Sequence, residues 1–234
     1  MLVETMSVEN KFIQMFNDSV EHFLESSPFF AAWRPENVNS DVAEKFLANF
    51  NVLVGNFPGL IALGCARADD EDTRAVLALN LFQECGEGNV QRTHHAIYRK
   101  FLRTAGVDPS IAPPETFTYE WRVRLRHYLT HAPKALCALG ALATGEFMAP
   151  PGLTKIFNVI RPMFPDADIE YFTTHLALET EHVQEIAELL ARQVEHGADI
   201  EDAINGFQYG METWDAYFNS LNDYLFANRQ DEES

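Results

Sequence analysis

The segment His175-Leu-Ala-Leu-Glu179-Thr-Glu-His182 places two imidazoles and a carboxylate at positions i, i+4 and i+7. On an α-helix each residue advances ~100°, so the three fall within roughly 60° of one another and address one spot. Two histidines and a carboxylate form a mixed N/O donor set that suits iron or zinc. Glu84, Glu146 and a histidine at 94 or 95 raise the inventory to three His and three Glu. That is the donor set of a dinuclear carboxylate site inside a helical bundle. A single hydrolytic zinc is the competing chemistry for the HxxxExxH face. The HExxH motif is absent, however, as are GxSxG, P-loop and GxGxxG sequences.

Glu84 ends the uncharged run Ala75-Val-Leu-Ala-Leu-Asn-Leu-Phe-Gln83 and shares a helical face with Leu77, Asn80 and Leu81. A helix apolar on all sides is buried, and a carboxylate there is costly unless paired or bound to metal. Taken alone, Glu84 fits a helix-end residue reaching solvent beside Gly86 equally well. Glu146 repeats the pattern after Ala135-Leu-Cys-Ala-Leu-Gly-Ala-Leu-Ala-Thr-Gly145, whose small residues permit close helix approach. It too could emerge at a helix terminus before Pro150. His94 and His95 are adjacent and face different ways, so at most one joins the site. His22, His127, His131 and His196 read as surface or core residues.

These groups need helices to position them. The apolar spacing predicts helices over about 8–26, 40–68 with Ser40 as N-cap and Pro58 as a break or kink, and Asp69–Asp72 to about Cys85. Gly86-Glu-Gly88 interrupts the last of these and is read as loosening the backbone between Glu84 and His94. Further helices are expected over about 91–105, 116–132 and 134–147, with 109–115 a loop. Pro150-Pro151-Gly152 then separates a short helix at about 153–163. A long helix capped by Asp166 or Asp168 runs to about His196, and a last one covers about 199–228. The polar tail 229–234 is expected to fray. With no alternating β-pattern, repeat or low-complexity linker, the chain reads as one all-α domain over 1–234.

The 234 residues suffice for one large helical core, and 47% are hydrophobic. Net charge is −18, from 17 basic and 35 acidic residues. That excludes a basic nucleic-acid footprint and opposes binding to anionic membranes. Cys65, Cys85 and Cys137 are odd in number and without CxxC, which points to reduced thiols and a cytoplasmic location. No signal-peptide pattern is seen at the N-terminus. The expected partner is a small-molecule substrate, with no nucleic acid or membrane and a possible homodimer.

The stretch Asn80-Leu-Phe-Gln-Glu84-Cys-Gly86-Glu-Gly88, followed by His94 and an amphipathic helix, resembles the N-L-x-x-E-x-G-x-G segment of haem-oxygenase-like diiron oxidases. Gly140-Ala-Leu-Ala-Thr-Gly-Glu146 resembles their middle-helix Glu, and His175-x3-Glu179-x2-His182 their late His-x3-Asp/Glu-x2-His. The matches occur in the family's order and span about residues 45–195. The resemblance implies a haem-oxygenase-like bundle of about seven core helices. It also implies two Fe(II) ions held by Glu84, His94, Glu146, His175, Glu179 and His182, with O2 as co-substrate.

By the same resemblance the expected activity is oxidative C–C or C–N cleavage, desaturation or nitrile formation on a hydrophobic or aromatic amino acid, through a peroxo-diferric species. The alternatives are fatty-acid decarboxylation to a terminal alkene, a haem oxygenase with His22 as axial ligand, and a non-enzymatic helical binding module. The first tyrosine is Tyr98, which argues against the branch that consumes a tyrosine of its own early helices. Phe147 and Phe172, among Phe29, Phe30, Phe57 and Phe157, are expected to line an apolar substrate pocket. Lys155 and Arg161, with Arg122, are the expected partners for a substrate carboxylate.

Overall fold

The computed structural model describes residues 6–111 and 116–227; at 111, 116 and 178–180 it describes the backbone alone. Helix starts follow local side-chain chemistry. In α1 (Val8–Ser26) the Ser7 hydroxyl accepts from the Asn10 N–H, and α2 (Pro28–Ala32) begins on Pro28, whose fixed φ suits a first turn. Asn39, one residue before the expected Ser40, caps α3 (Ser40–Arg67) by accepting from Val42. Asp70 caps α4 (Glu71–Glu84), Thr93 caps α5 (His94–Ala105), and α6 spans Thr116–His131. Asp199 caps α9 (Ile200–Phe226).

Two departures concern helices that carry site residues. The predicted break at Pro150-Pro151-Gly152 does not occur: α7 runs unbroken over Ala135–Ile160 with both prolines inside it. An interior proline costs ~3 kcal/mol in lost hydrogen bonding and sterics. Burial of α7 from Leu136 to Met148 offsets that loss. Likewise α8 (Glu170–Glu195) starts after Ile169, and Asp168 accepts from the Glu170 N–H without being the cap residue itself. Pro58 also lies inside α3 without ending it.

The helix α7 is the axis of the fold, packed against α8 and α9 with α1, α3 and α6 around it. Its approach to α9 is close: a Cβ added at Gly140 would overlap the Ala203 carbonyl, and one at Gly206 the Cys137 carbonyl. A single apolar cluster runs from Phe12 to Leu225. Among the described residues α3 is the one helix long and apolar enough to cross a membrane, yet its apolar residues pack against α4, α5, α6 and α7 as a core helix does. The described residues contain no strand.

Candidate metal centre and its cavity

Four segments deliver the polar groups to one cavity beside α7. Glu84 is the last residue of α4 and His94 the first of α5. The connection between them is compact. Gly86, Glu87 and Gly88 take positive φ of 70°, 53° and 85°, and Cβ on Gly86 would lie 2.5 Å from the Arg92–Thr93 backbone. Glycine at 86 is therefore needed for close approach as well as for the left-handed conformation. The loop that was read as loose is folded tightly on itself, and this reversal brings His94 back to Glu84. Both side chains are buried, with His94 Nδ1 2.8 Å from Glu84 Oε1.

His175 closes this first group. Its ligand nitrogen lies within 4.8 Å of a Glu84 carboxylate oxygen and a His94 ring nitrogen, and its ring centroid is 4.4 Å from that of His94. The His175 Nδ1–H donates to the Tyr171 carbonyl at 2.7 Å, which leaves Nε2 as the lone-pair nitrogen. Burial, then the neighbouring imidazoles His94 and His182, push the His175 pKa down to about 3, against the pull of the Tyr171 carbonyl. His175 is therefore neutral and able to ligate at any ordinary pH.

A second pair lies alongside. His182 Nδ1 is 3.4 Å from Glu146 Oε2, both side chains being 6% exposed. Burial opposes charge on His182, but the Glu146 carboxylate, with Glu185 and Glu84 adding, raises its pKa above the usual histidine value. The Glu185 carboxyl is itself raised, mainly by burial, with Glu181, Glu146 and Glu188 adding and His182 opposing. Asn80 Nδ2 donates to Glu146 Oε1 at 3.0 Å, and His182 Nε2 lies 3.2 Å from Gln83 Oε1.

Five of the six expected ligands, Glu84, His94, Glu146, His175 and His182, thus line one cavity. The backbone of Glu179 lies in α8 between the two histidines, but its side chain is outside the described residues. His95 is separate from the cluster: its ring sits against Gly55, with Nε2 3.0 Å from Asn51 Oδ1.

The donor set fits a cation on an observation of its own. His94 Nδ1 is buried and close to a carboxylate oxygen, yet the two make no hydrogen bond. A buried polar atom without a partner is costly, and two donor atoms converging without bonding to each other is what a shared metal ion relieves.

The rest of the cavity is apolar, with Phe50, Leu53, Phe57, Met148, Tyr171 and Trp214 prominent in its wall. Its volume is about 80 Å3, against ~10–15 Å3 for one water. The four expected substrate contacts are elsewhere, and of the six phenylalanines only Phe57 is in the wall. Phe147 follows Glu146 by one residue and so turns ~100° away, packing on Phe16 and Phe207. Phe172 follows Tyr171 and packs on Phe101 and Phe157. Lys155 is exposed, while Arg161 donates to the Phe164 and Pro165 carbonyls, closing a turn. Arg122 is bonded to Asn56 and lies over Tyr119. Among the described lining residues none is lysine or arginine. His22 is exposed on α1 and absent from the wall, so it is not placed to ligate a haem there.

A model of iron-containing redox enzymes matches residues 44–215, nearly the whole span from α3 to the middle of α9. The chain belongs to this family. Its fold is haem-oxygenase-like. A CADD-like protein of unknown function from Nostoc punctiforme PCC 73102 superposes with TM-score 0.72 at 12% identity, covering 94% of this chain and 98% of that one. A domain of unknown function with a heme oxygenase-like fold from Shewanella denitrificans OS217 gives TM-score 0.72 at 14% identity, covering 98% and 97%. A TenA homolog from Pseudomonas syringae pv. tomato str. DC3000 gives 0.68 at 11%, covering 94% of each. Comparison with curated proteins finds no match. At these identities the structures establish the fold, and the matched family model establishes the iron-containing redox class.

Proposed function

We propose that this family member is an O2-dependent non-haem diiron enzyme that oxidises a hydrophobic or aromatic amino acid. The observation that carries the reading is the convergence of Glu84, His94 and His175 within 4.8 Å, beside the Glu146–His182 pair and open to the same apolar cavity. Five or six N/O donors exceed what one tetrahedral zinc takes and match two irons with open positions. Glu84, His94, Glu146, His175 and His182 would hold the ferrous ions, which would supply O2 activation and oxidation of a bound substrate. The protein's own part is positioning and exclusion of water. Neutral His175 and deprotonated His182 offer nitrogens, Glu84 and Glu146 offer oxygens, and the cavity wall orients the substrate's apolar side.

No lysine or arginine is among the described lining residues, so a substrate carboxylate would have to meet its counter-charge at bound cations. Trp214, Phe50, Phe57, Tyr171 and Phe218 offer faces for an aromatic or branched side chain. The test is anaerobic loading with Fe(II), followed by O2-consumption assays across aromatic amino acids, aliphatic amino acids and fatty acids. Uptake near two Fe(II) per chain and acceleration by an amino acid support the reading. Uptake of one zinc with no iron overturns the metal assignment, and acceleration by fatty acids alone overturns the substrate class.

A further inference from the structure

Resting on the two-ion reading, we infer that Asn80 and Gln83 of α4 are positioning residues for the Glu146–His182 half of the centre, fixing which atom of each ligand faces the metal. Positions 80, 83 and 84 are i, i+3 and i+4 on one helix and share a face. The helix therefore presents one ligand, Glu84, to its own half of the centre and two neutral amides to the other half.

Each amide has a directional task. Asn80 Nδ2 stands 3.0 Å from Glu146 Oε1. The opposite orientation would set the amide oxygen against a carboxylate oxygen, so the donor must face Glu146. This ties down Oε1 and leaves Oε2, the oxygen 3.4 Å from His182 Nδ1, free for a metal. With Gln83 Oε1 facing His182 Nε2 at 3.2 Å, the arrangement suits a ring proton on Nε2 and Nδ1 as the ligating nitrogen, the tautomer the test below reads. Both choices aim the free atoms at the same point.

Asn80 makes a single side-chain hydrogen bond among the described residues, the one to Glu146. Its side chain is buried, and its Oδ1 has no hydrogen-bond partner among the described residues. A buried orphan acceptor lowers stability, whereas leucine has similar size and no polar atom to strand. The amide is explained by its donor to Glu146 and by nothing else it touches.

The experiment is anaerobic calorimetry with Fe(II) on the full chain and on Asn80→Leu, Gln83→Leu and Gln83→Glu, together with thermal unfolding of the metal-free proteins. Asn80→Leu and Gln83→Leu should weaken one Fe(II) equivalent by ~10–100-fold and leave the other unchanged. The metal-free midpoint of Asn80→Leu reports whether the variant still folds, since losing the donor to buried Glu146 is offset only in part by removing the orphan Oδ1. Gln83→Glu should keep both equivalents, because a carboxylate accepts the same N–H. Equal weakening of both equivalents, or no weakening of either, in variants that remain folded overturns the inference.

If the unaltered chain takes up one Fe(II), the two-ion reading fails. The positioning role is then decided by the 15N spectrum of the His182 ring in the metal-free protein. Loss of the Nε2–H signal in Gln83→Leu and its retention in Gln83→Glu sustain the role, and an unchanged ring spectrum in Gln83→Leu removes it.

Discussion

The Glu84–His94–His175 half and the Glu146–His182 half of the centre open into one cavity but are assembled differently. In the first, the main chain does the positioning. A left-handed turn at 86–88 folds α5 back on the end of α4, and the Tyr171 carbonyl sets the His175 ring. In the second, side chains do it, with Asn80 and Gln83 reaching across from α4 to Glu146 on α7 and His182 on α8. The two histidines of α8 also sit in opposite electrostatic settings: His175 is kept neutral by burial, while His182 is biased toward its proton by Glu146. On the proposed two-ion reading, one half is preset for a cation and the other would give up a proton for it.

The comparison breaks most severely when a ligand is removed. His175→Ala and His182→Ala should each reduce O2 consumption by more than about 100-fold, beyond the cost of losing an outer partner, while helical circular dichroism stays intact. Full oxidase activity in both variants would show that this face is not the site.

Gly86→Ala sharpens the contrast, because it strikes the backbone turn on which only the first half depends. A left-handed non-glycine costs ~1–2 kcal/mol, and here the new methyl also meets backbone. The expected result is loss of one Fe(II) equivalent by ~10-fold or more, with the Asn80–Glu146 and Gln83–His182 contacts kept. Unchanged affinity for both equivalents would show that the turn does not set His94.

The pH dependence of the metal-free protein separates the two histidines by sign. His175 titrates near 3 when folded and near 6.5 when unfolded, so between those values the unfolded chain takes up a proton that the folded chain does not. Stability should therefore fall as pH drops from about 6.5 toward 3, and His175→Gln should flatten that fall. The raised pKa of His182 works the other way: its contribution is fully present below about 6.5 and is lost as pH rises through the folded value. Thermal midpoints across this range check both signs. The smallest effect is expected outside both halves. His95→Ala loses the bond to Asn51, worth ~1 kcal/mol, and should lower the midpoint by ~2–4 °C without changing Fe(II) stoichiometry.

Most helices, and the shared face of His175 and His182, were legible in the sequence because both are short-range: apolar periodicity marks a helix, and i, i+4, i+7 spacing marks a face. Glu84 and Glu146 stood out as lone charges ending apolar runs. The continuity of α7 was hidden because Pro150 and Pro151 are local breakers that packing from several neighbouring helices overrides. Phe147 and Phe172 lie one residue from the cavity wall, and one residue on a helix is ~100°, so sequence adjacency to Glu146 or Tyr171 does not put them in it. Lys155 and Arg161 were chosen for charge, yet one faces solvent and the other closes a turn. Asn80 was visible as a polar residue on the Glu84 face, but nothing local links position 80 to 146 across 66 residues.

Mössbauer spectroscopy of the protein loaded anaerobically with 57Fe(II) tests the central claim most directly. Two irons that share the cavity should appear as two ferrous sites per chain, magnetically coupled, with one signal lost in His182→Ala and the other retained. A single mononuclear ferrous site in the unaltered protein, or two uncoupled sites insensitive to His182, would contradict the account.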